Sequence, residues 1–180
     1  MLPFQLLPLL IFITFINCQR KPEGYYWKDY AGLIPDDAYQ AGLDHNGRPI
    51  FIGQTIHADY LVTVKLYHTG GKGYYPFGNK QHAIERQIKV LCTMQPERFI
   101  WVQTTSDSVA YIADGRLVIG GSDRNNPTYI GRLFYKLQTT VGTIIADERK
   151  WGLYFIHDGE EMSFKTFEVL VYNYFTRQPL

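Results

Sequence analysis

An irregular phrase that occurs twice most constrains the fold of this chain. "AGLDHNGRPIFIG" covers residues 41–53, and "IGGSDRNNPTYIG" covers 119–131, which is 78 positions further on. The copies share residues at identical spacing: Gly42 with Gly120, Pro49 with Pro127, and Ile52-Gly53 with Ile130-Gly131. Gly and Pro restrict the backbone to particular turns, so a shared Gly and Pro pattern predicts a shared local structure. The sequence therefore predicts one structural unit built twice.

The repetition extends beyond this phrase. Trp27 and Trp101 precede it, and each copy ends on a Val-Leu pair at positions 90–91 and 169–170. Between these points, "GYYPF" at 73–77 aligns with "GLYFI" at 152–156. We place the first repeat at 25–94 and the second at 99–174, about 70 residues each and longer than the usual solenoid period. Two such copies favour a pair packed about a pseudo-twofold axis.

The composition and punctuation of both repeats predict an all-β fold. The chain is 16% aromatic, and its β-branched and aromatic runs are short and separated by Gly, Asn, Asp and Pro. "DHNG" at 44–47 and "DRNN" at 123–126 have turn chemistry. "NKQHAIERQI" at 79–88 is a helix candidate, but it is too short to decide. We expect two tandem repeats of short antiparallel strands.

The N-terminus predicts secretion. Its apolar stretch, residues 6–16, has the length of a signal-peptide core and is too short to span a membrane. We expect a signal peptide over 1–18 with cleavage after Cys18, although no Lys or Arg precedes the apolar stretch; the alternative is an uncleaved anchor. Cleavage would leave Cys92 without a disulfide partner. Cys92 lies in the apolar run "IKVLCT", so we expect a buried, unreactive side chain.

Several functional classes lack support in this sequence. The net charge of +1 gives no reason to expect nucleic-acid binding. We find no nucleophile motif, zinc-protease motif or P-loop and expect no enzyme and no cofactor. The five histidines are scattered without metal-ligand spacing, so we expect no metal site. Glu160 and Glu161 are adjacent, which is more typical of a solvated turn than of paired catalytic carboxylates.

Asp44 and Lys65 remain as candidates for binding. Asp44 follows Gly42 in a turn, and its plainest role is to stabilise that turn. Lys65 lies in "YLVTVKLY", where alternation assigns Val62 and Val64 to a core face and Lys65 to a more polar face. On alternation alone, a solubilising surface lysine is the favoured interpretation.

The run I-P-D-D-A-x-x-A-G-x-D, within residues 32–57, resembles the DM-nine repeat family, as do "GYYPFGNKQH" and "IKVL" further on. The resemblance covers nearly all of 25–174. Members include invertebrate mannose-binding lectins and natterin-like toxins. It implies an all-β pair of repeats and, by analogy with the lectins, a sugar site formed by Asp44 and Lys65. The phrase around the lysine departs from the family pattern, because Thr63 and Val64 stand where Pro and Gly are usual.

The second repeat departs further. Positions 78 residues after Asp44 and Lys65 hold Ser122 and Thr143, with Asp123 one residue away. We therefore expect one competent sugar site per chain, in the first repeat.

The resulting hypothesis is a secreted, metal-independent lectin for mannose-type glycans, such as those of microbial surfaces recognised in innate immunity. A carboxylate accepts and an ammonium donates hydrogen bonds with adjacent sugar hydroxyls, and Tyr60 and Tyr67 are candidates to cover an apolar sugar face. One such site is weak, so a homodimer would supply avidity. The main alternative is a protein-interaction or structural module whose sugar site has decayed. A membrane-inserting toxin is disfavoured because the repeats fill the predicted mature chain.

Overall fold

The computed structural model describes residues 24–112, 116–124, 126–147 and 150–174. The predicted signal peptide and Cys18 lie outside these ranges. Described residues form fourteen β-strands: β1 Tyr25–Asp29, β2 Gln40–Leu43, β3 Pro49–His57, β4 Tyr60–Tyr67, β5 Gly73–Phe77, β6 Lys80–Ile84, β7 Ile88–Thr93, β8 Phe99–Thr105, β9 Ile119–Asp123, β10 Asn126–Tyr135, β11 Gln138–Asp147, β12 Lys150–His157, β13 Glu160–Phe164 and β14 Thr166–Tyr172. Two short 3-10 turns cover Pro96–Arg98 and Val109–Tyr111. No helix in this part of the chain is long and apolar enough to cross a membrane.

The strands pair in the same way in both halves of the chain. In the first half, β3 pairs with β2, β4 and β7, β7 also pairs with β1, and β5 joins β4 to β6. The second half repeats every one of these antiparallel pairings among β8–β14. The prediction of an all-β fold made of two related repeats is confirmed.

The register confirms most of the sequence alignment between the repeats. Trp27 lies opposite Leu91 in the first repeat, and Trp101 lies opposite Leu170 in the second. The alignment of "GYYPF" with "GLYFI" is one residue out, because Lys65 pairs with Tyr74 whereas its counterpart Thr143 pairs with Tyr154. The helix candidate at 79–88 forms β6 and the start of β7 instead.

The two repeats are joined at a reciprocal crossing. β4 of the first repeat pairs with β9 of the second through Leu61 and Ser122, and all these strands belong to one continuous sheet. A Cβ atom added to Gly121 would overlap the backbone carbonyl oxygen of Leu61. At the equivalent place across the pseudo-twofold axis, a Cβ on Gly42 would overlap the side chain of Thr139. Each repeat thus packs a glycine closely against the other.

Three apolar clusters stabilise this arrangement. One lies within each repeat, and the third is shared and draws buried side chains from both, including Ile52 and Leu91 from the first and Ile130 and Leu170 from the second. Full burial of one such side chain contributes roughly 1.5–3 kcal/mol. The shared cluster therefore makes the stability of each repeat depend on the other.

Arg132 adds polar contacts across the boundary. Its Nη1 donates to the backbone oxygen of Ala41 at 2.8 Å, its Nε donates to Glu168 at 2.7 Å, and its guanidinium lies 4.4 Å from the Trp101 ring centroid. Because Ala41 belongs to β2, Arg132 holds the first repeat's edge strand against the second repeat.

The close approach at Gly121 can be tested by Gly121→Ala. The added methyl group meets backbone and cannot be relieved by rotating a side chain, so we expect a loss of roughly 2 kcal/mol or more in the free energy of unfolding. Gly78→Ala is the control: Gly78 has φ +62° with open space around it, so we expect a loss of only about 1 kcal/mol from the left-handed backbone. Urea unfolding measures both. Equal losses would show that the crossing at Gly121 is not tightly packed.

Candidate functional site

Asp44 forms the turn between β2 and β3. Its Oδ1 accepts hydrogen bonds from the backbone N–H groups of Asn46 at 2.8 Å and Arg48 at 2.9 Å. Burial raises the pKa of the Asp44 carboxyl, but these backbone donors and the electrostatic contributions of His45 and Arg48 outweigh it, so the pKa is lowered overall. The turn role is therefore real, and it keeps Asp44 ionised. No hydrogen bond from a described residue ends on the second oxygen, Oδ2.

Lys65 is buried, with 4% of its surface exposed. The expectation that its face of β4 is open to solvent is wrong: Thr63 on the same face is 1% exposed, because β4 is covered on both faces. β9 and β11 of the second repeat pack against this strand. Alternation along one strand could not show this, since the covering strands come from the other half of the chain.

Asp44 and Lys65 lie close enough for their charges to interact, but they do not form one of the ion pairs between described residues. Burial lowers the pKa of the Lys65 amine to about 8, and the negative charge of Asp44 opposes that shift. The Nζ atom donates to Oε1 of Gln138 at 3.3 Å and lies 4.9 Å from the Tyr67 ring centroid. Gln138 belongs to the second repeat, so both repeats contribute to the surroundings of this lysine.

A cavity of about 540 Å³ opens beside Lys65. We call it the lysine cavity; its lining consists of Lys65, Tyr67, Thr69, Gly70, Gly71, Lys72, Tyr74, Gln81 and Ile156. Tyr67 therefore lies where a ring could cover a bound sugar, whereas Tyr60 lines a different cavity. Asp44 does not line the lysine cavity. Its negative charge influences the cavity by interacting with the Lys65 ammonium.

The second repeat retains the aspartate and loses the lysine. Pro49 pairs with Leu43, but Pro127 pairs with Ser122, because the second turn is one residue shorter. The counterpart of Asp44 is therefore Asp123, and the sequence-based match to Ser122 is wrong. Thr143 is confirmed as the counterpart of Lys65 by its pairing with Ile130, which matches the pairing of Lys65 with Ile52. Only the first repeat carries both charges.

Other residues considered in the sequence take different places. Cys92 is fully buried, and burial, followed by the nearby charge of Asp37, raises the pKa of its thiol to about 12, which agrees with an inert side chain. His57 and His82 are brought together, with ring centroids 4.9 Å apart. No three His, Cys, Asp or Glu side chains of the described ranges are grouped to hold a metal ion. Glu161 does not simply face solvent, since it accepts from the Asn79 backbone N–H at 3.1 Å.

These strands and residues agree with a sequence-family comparison. The model of the DM9 repeat matches residues 15–84 and 44–164. The chain belongs to the DM9 repeat family. The two DM9 matches overlap, so they leave the predicted boundaries at 25–94 and 99–174 as predictions. No curated protein matches the chain.

A solved structure shares the DM9 fold of this chain. The crystal structure of the nematode sperm cell motility protein MFP2B matches with a TM-score of 0.62 at 11% sequence identity. The match covers 88% of this chain and 47% of the nematode protein, so this chain spans about half the length of that protein. At this identity the match establishes the shared fold.

The buried ammonium can be tested by comparing the wild type with Lys65→Met. The pKa of Lys65 is about 8 in the folded protein against an ordinary 10.5, so between these pH values the unfolded chain binds the extra proton. Rising pH then favours the folded state. We expect the wild type to gain roughly 3 kcal/mol of unfolding free energy relative to the variant from pH 8 to 10.5, because one pKa unit corresponds to about 1.4 kcal/mol.

Urea unfolding across this pH range measures the difference. Lys72→Met is the matched control, since Lys72 lines the same cavity from an exposed position. We expect almost no such gain of the wild type relative to Lys72→Met. If the unfolding free energy of the wild type rises equally relative to both variants, the buried Lys65 amine is not the source of the rise.

Proposed function

We propose that this DM9 protein is a secreted, metal-independent lectin with one competent site, formed by Asp44 and Lys65. The observation that supports it most directly is the buried Lys65 ammonium beside an open cavity. Asp44, 21 positions earlier in the chain, interacts with its charge in the folded protein. A charge pair beside an open cavity offers both acceptors and donors to sugar hydroxyls. The protein would bind without catalysing a reaction.

The geometry suggests how a sugar would engage this site. The Lys65 ammonium has three N–H donors and uses one on Gln138 at the long distance of 3.3 Å. A sugar hydroxyl entering the lysine cavity would accept from Nζ, either beside the Gln138 amide or in its place. Asp44 would act on the bound sugar through the interaction of its charge with the Lys65 ammonium, and the Tyr67 ring would cover an apolar edge.

The proposed partners are mannose-type glycans, including those of microbial surfaces. A single small sugar buries little area, so we expect dissociation constants of about 0.1–10 mM for one site. A homodimer presenting two sites would bind clustered glycans more tightly.

Glycan binding tests the proposal. With calcium chelated, we expect saturable binding of mannose-type glycans on an array, lost in Lys65→Met and reduced at least tenfold in Asp44→Asn. The control Lys165→Met, at an exposed lysine outside the cavity lining, should retain binding. Affinity should fall as pH rises above about 8, where the Lys65 ammonium loses its proton, and should hold on the acid side, where Asp44 stays ionised. Binding that survives Lys65→Met would rule out this site.

Secretion has a separate test. We expect the chain expressed in animal cells to accumulate in the medium with Gln19 as its first residue, measured by mass spectrometry of the intact protein. Retention inside the cell with an uncut N-terminus would contradict the signal peptide over 1–18.

A protein-interaction or structural module is the second candidate. It is favoured by the small exposed area of Lys65 and by its existing bond to Gln138, and the protein with the matching fold is described as a sperm cell motility protein. A folded chain that binds no glycan and co-purifies with one specific protein partner would select this alternative.

A further inference from the structure

A second cavity lies on the other side of the pseudo-twofold axis from the lysine cavity. It has a volume of about 220 Å³. We call it the acidic cavity; its lining consists of Tyr60, Leu61, Val62, Pro76, Phe77, Gly78, Ser122, Asp123, Thr128, Thr143, Ile145, Tyr154 and Glu161. Both repeats contribute to it, as they do to the lysine cavity.

The acidic cavity is the structural counterpart of the lysine cavity. Strand register relates five lining positions of one cavity to five of the other: Lys65 to Thr143, Tyr67 to Ile145, Tyr74 to Tyr154, Gln81 to Glu161, and Ile156 to Pro76. In this last pair, Ile156 of the second repeat lines the lysine cavity and Pro76 of the first repeat lines the acidic cavity. Each cavity thus takes the equivalent residue from the opposite repeat. The fold therefore builds the same concave place twice.

Two of these exchanges reverse the charge of the cavity. Thr143 in place of lysine removes a positive charge, and Glu161 in place of Gln81 adds a negative one. Asp123 keeps the carboxylate that corresponds to Asp44. Glu161 and Tyr154 interact, since the carboxylate charge contributes, after burial, to a raised pKa of the Tyr154 hydroxyl. Two carboxylates thus line the cavity, and none of its described lining residues is Lys or Arg.

An unpaired buried hydroxyl also lines this cavity. Thr128 is 3% exposed, and its Oγ1 has no hydrogen-bond partner among the described residues. A buried hydroxyl without a partner costs free energy that a bound donor can recover. This observation is independent of the acidic side chains.

We propose that the acidic cavity is a second binding site, which takes a small organic cation carrying a primary ammonium group. The ligand's ammonium takes the part that the Lys65 side chain plays in the first repeat, and its three N–H donors match the carboxylate and hydroxyl acceptors of Asp123, Glu161 and Thr128. Rings and aliphatic side chains of Tyr60, Phe77 and Ile145 pack against its body, which favours an organic cation over a metal ion. A volume below the ~300 Å³ of ordinary drug-sized pockets limits the ligand to about one sugar ring.

A matched pair of sugars tests the site. Glucosamine carries a primary ammonium, whereas N-acetylglucosamine has the same ring with a neutral amide. We expect saturable chemical-shift changes in the purified chain with glucosamine at slightly acid pH, centred on the acidic cavity. N-acetylglucosamine should bind at least tenfold more weakly. Equal binding of the two sugars would overturn the proposal.

Isosteric variants assign the contacts. Glu161→Gln and Asp123→Asn each remove one charge and should weaken glucosamine binding at least tenfold, while Glu160→Gln, the exposed neighbour, should leave it unchanged. The guanidinium of Arg124 lies 5.9 Å from the Tyr60 ring centroid and outside the lining. Arg124→Gln removes a competing cation and should tighten binding. Glucosamine affinity unaffected by both carboxylate variants would overturn the site.

The outcome is separable from that of the lectin proposal. Lys65→Met should abolish mannose binding and leave glucosamine binding intact. Glu161→Gln should weaken glucosamine binding and leave mannose binding intact. If glucosamine binding is lost in Lys65→Met, the amino sugar occupies the lysine cavity and the second site does not exist. A variant that loses binding of one sugar and keeps binding of the other therefore assigns each sugar to its own cavity.

Discussion

The reciprocal crossing of the two repeats is the constraint on which the rest of the structure depends. Gly42 packs against Thr139 and Gly121 against Leu61, so each repeat is closed by a strand of the other. This crossing creates the shared apolar cluster and covers the face of β4 that would otherwise meet water. Both cavities take residues from both repeats, so neither repeat alone forms a complete cavity.

Burial of Lys65 follows directly from this crossing. β9 and β11 cover β4, and the covered lysine loses hydration that Gln138, the Tyr67 ring and the charge of Asp44 partly replace. A charged group held with so few partners is costly in free energy and sensitive to its surroundings. In the proposed lectin, a ligand oxygen would supply the missing interaction. In the second repeat, Thr143 avoids the cost, and its hydroxyl accepts from the Thr63 backbone N–H instead.

Much of the fold could be predicted from the sequence. Trp27, Gly53 and the Val-Leu pair at 90–91 recur in the same order in the second copy, and the strand register bears out these matches. The turn role of Asp44 was also predicted, because Asp followed by Asn-Gly is local chemistry. The register of β9 before the second turn was not, since one residue fewer between Asp123 and Pro127 moves the matches in that strand by one position. The contact between Glu161 and the Asn79 backbone could not be predicted either, because the two residues lie 82 positions apart and meet only in the folded protein.

The sequence by itself determined the elements that rest on short-range physics: the two repeats, their strands, their turns and the identity of the charged residues. The tertiary structure alone decided which face of β4 is covered and that the charges of Asp44 and Lys65 interact. It also decided that Gln138 contacts Lys65, and that the two repeats together form a second cavity of opposite charge. The physical reason is the range of the interactions. Strand alternation and turn preference are properties of a few adjacent residues, whereas burial and electrostatic environment depend on strands that pack together only after the two repeats cross.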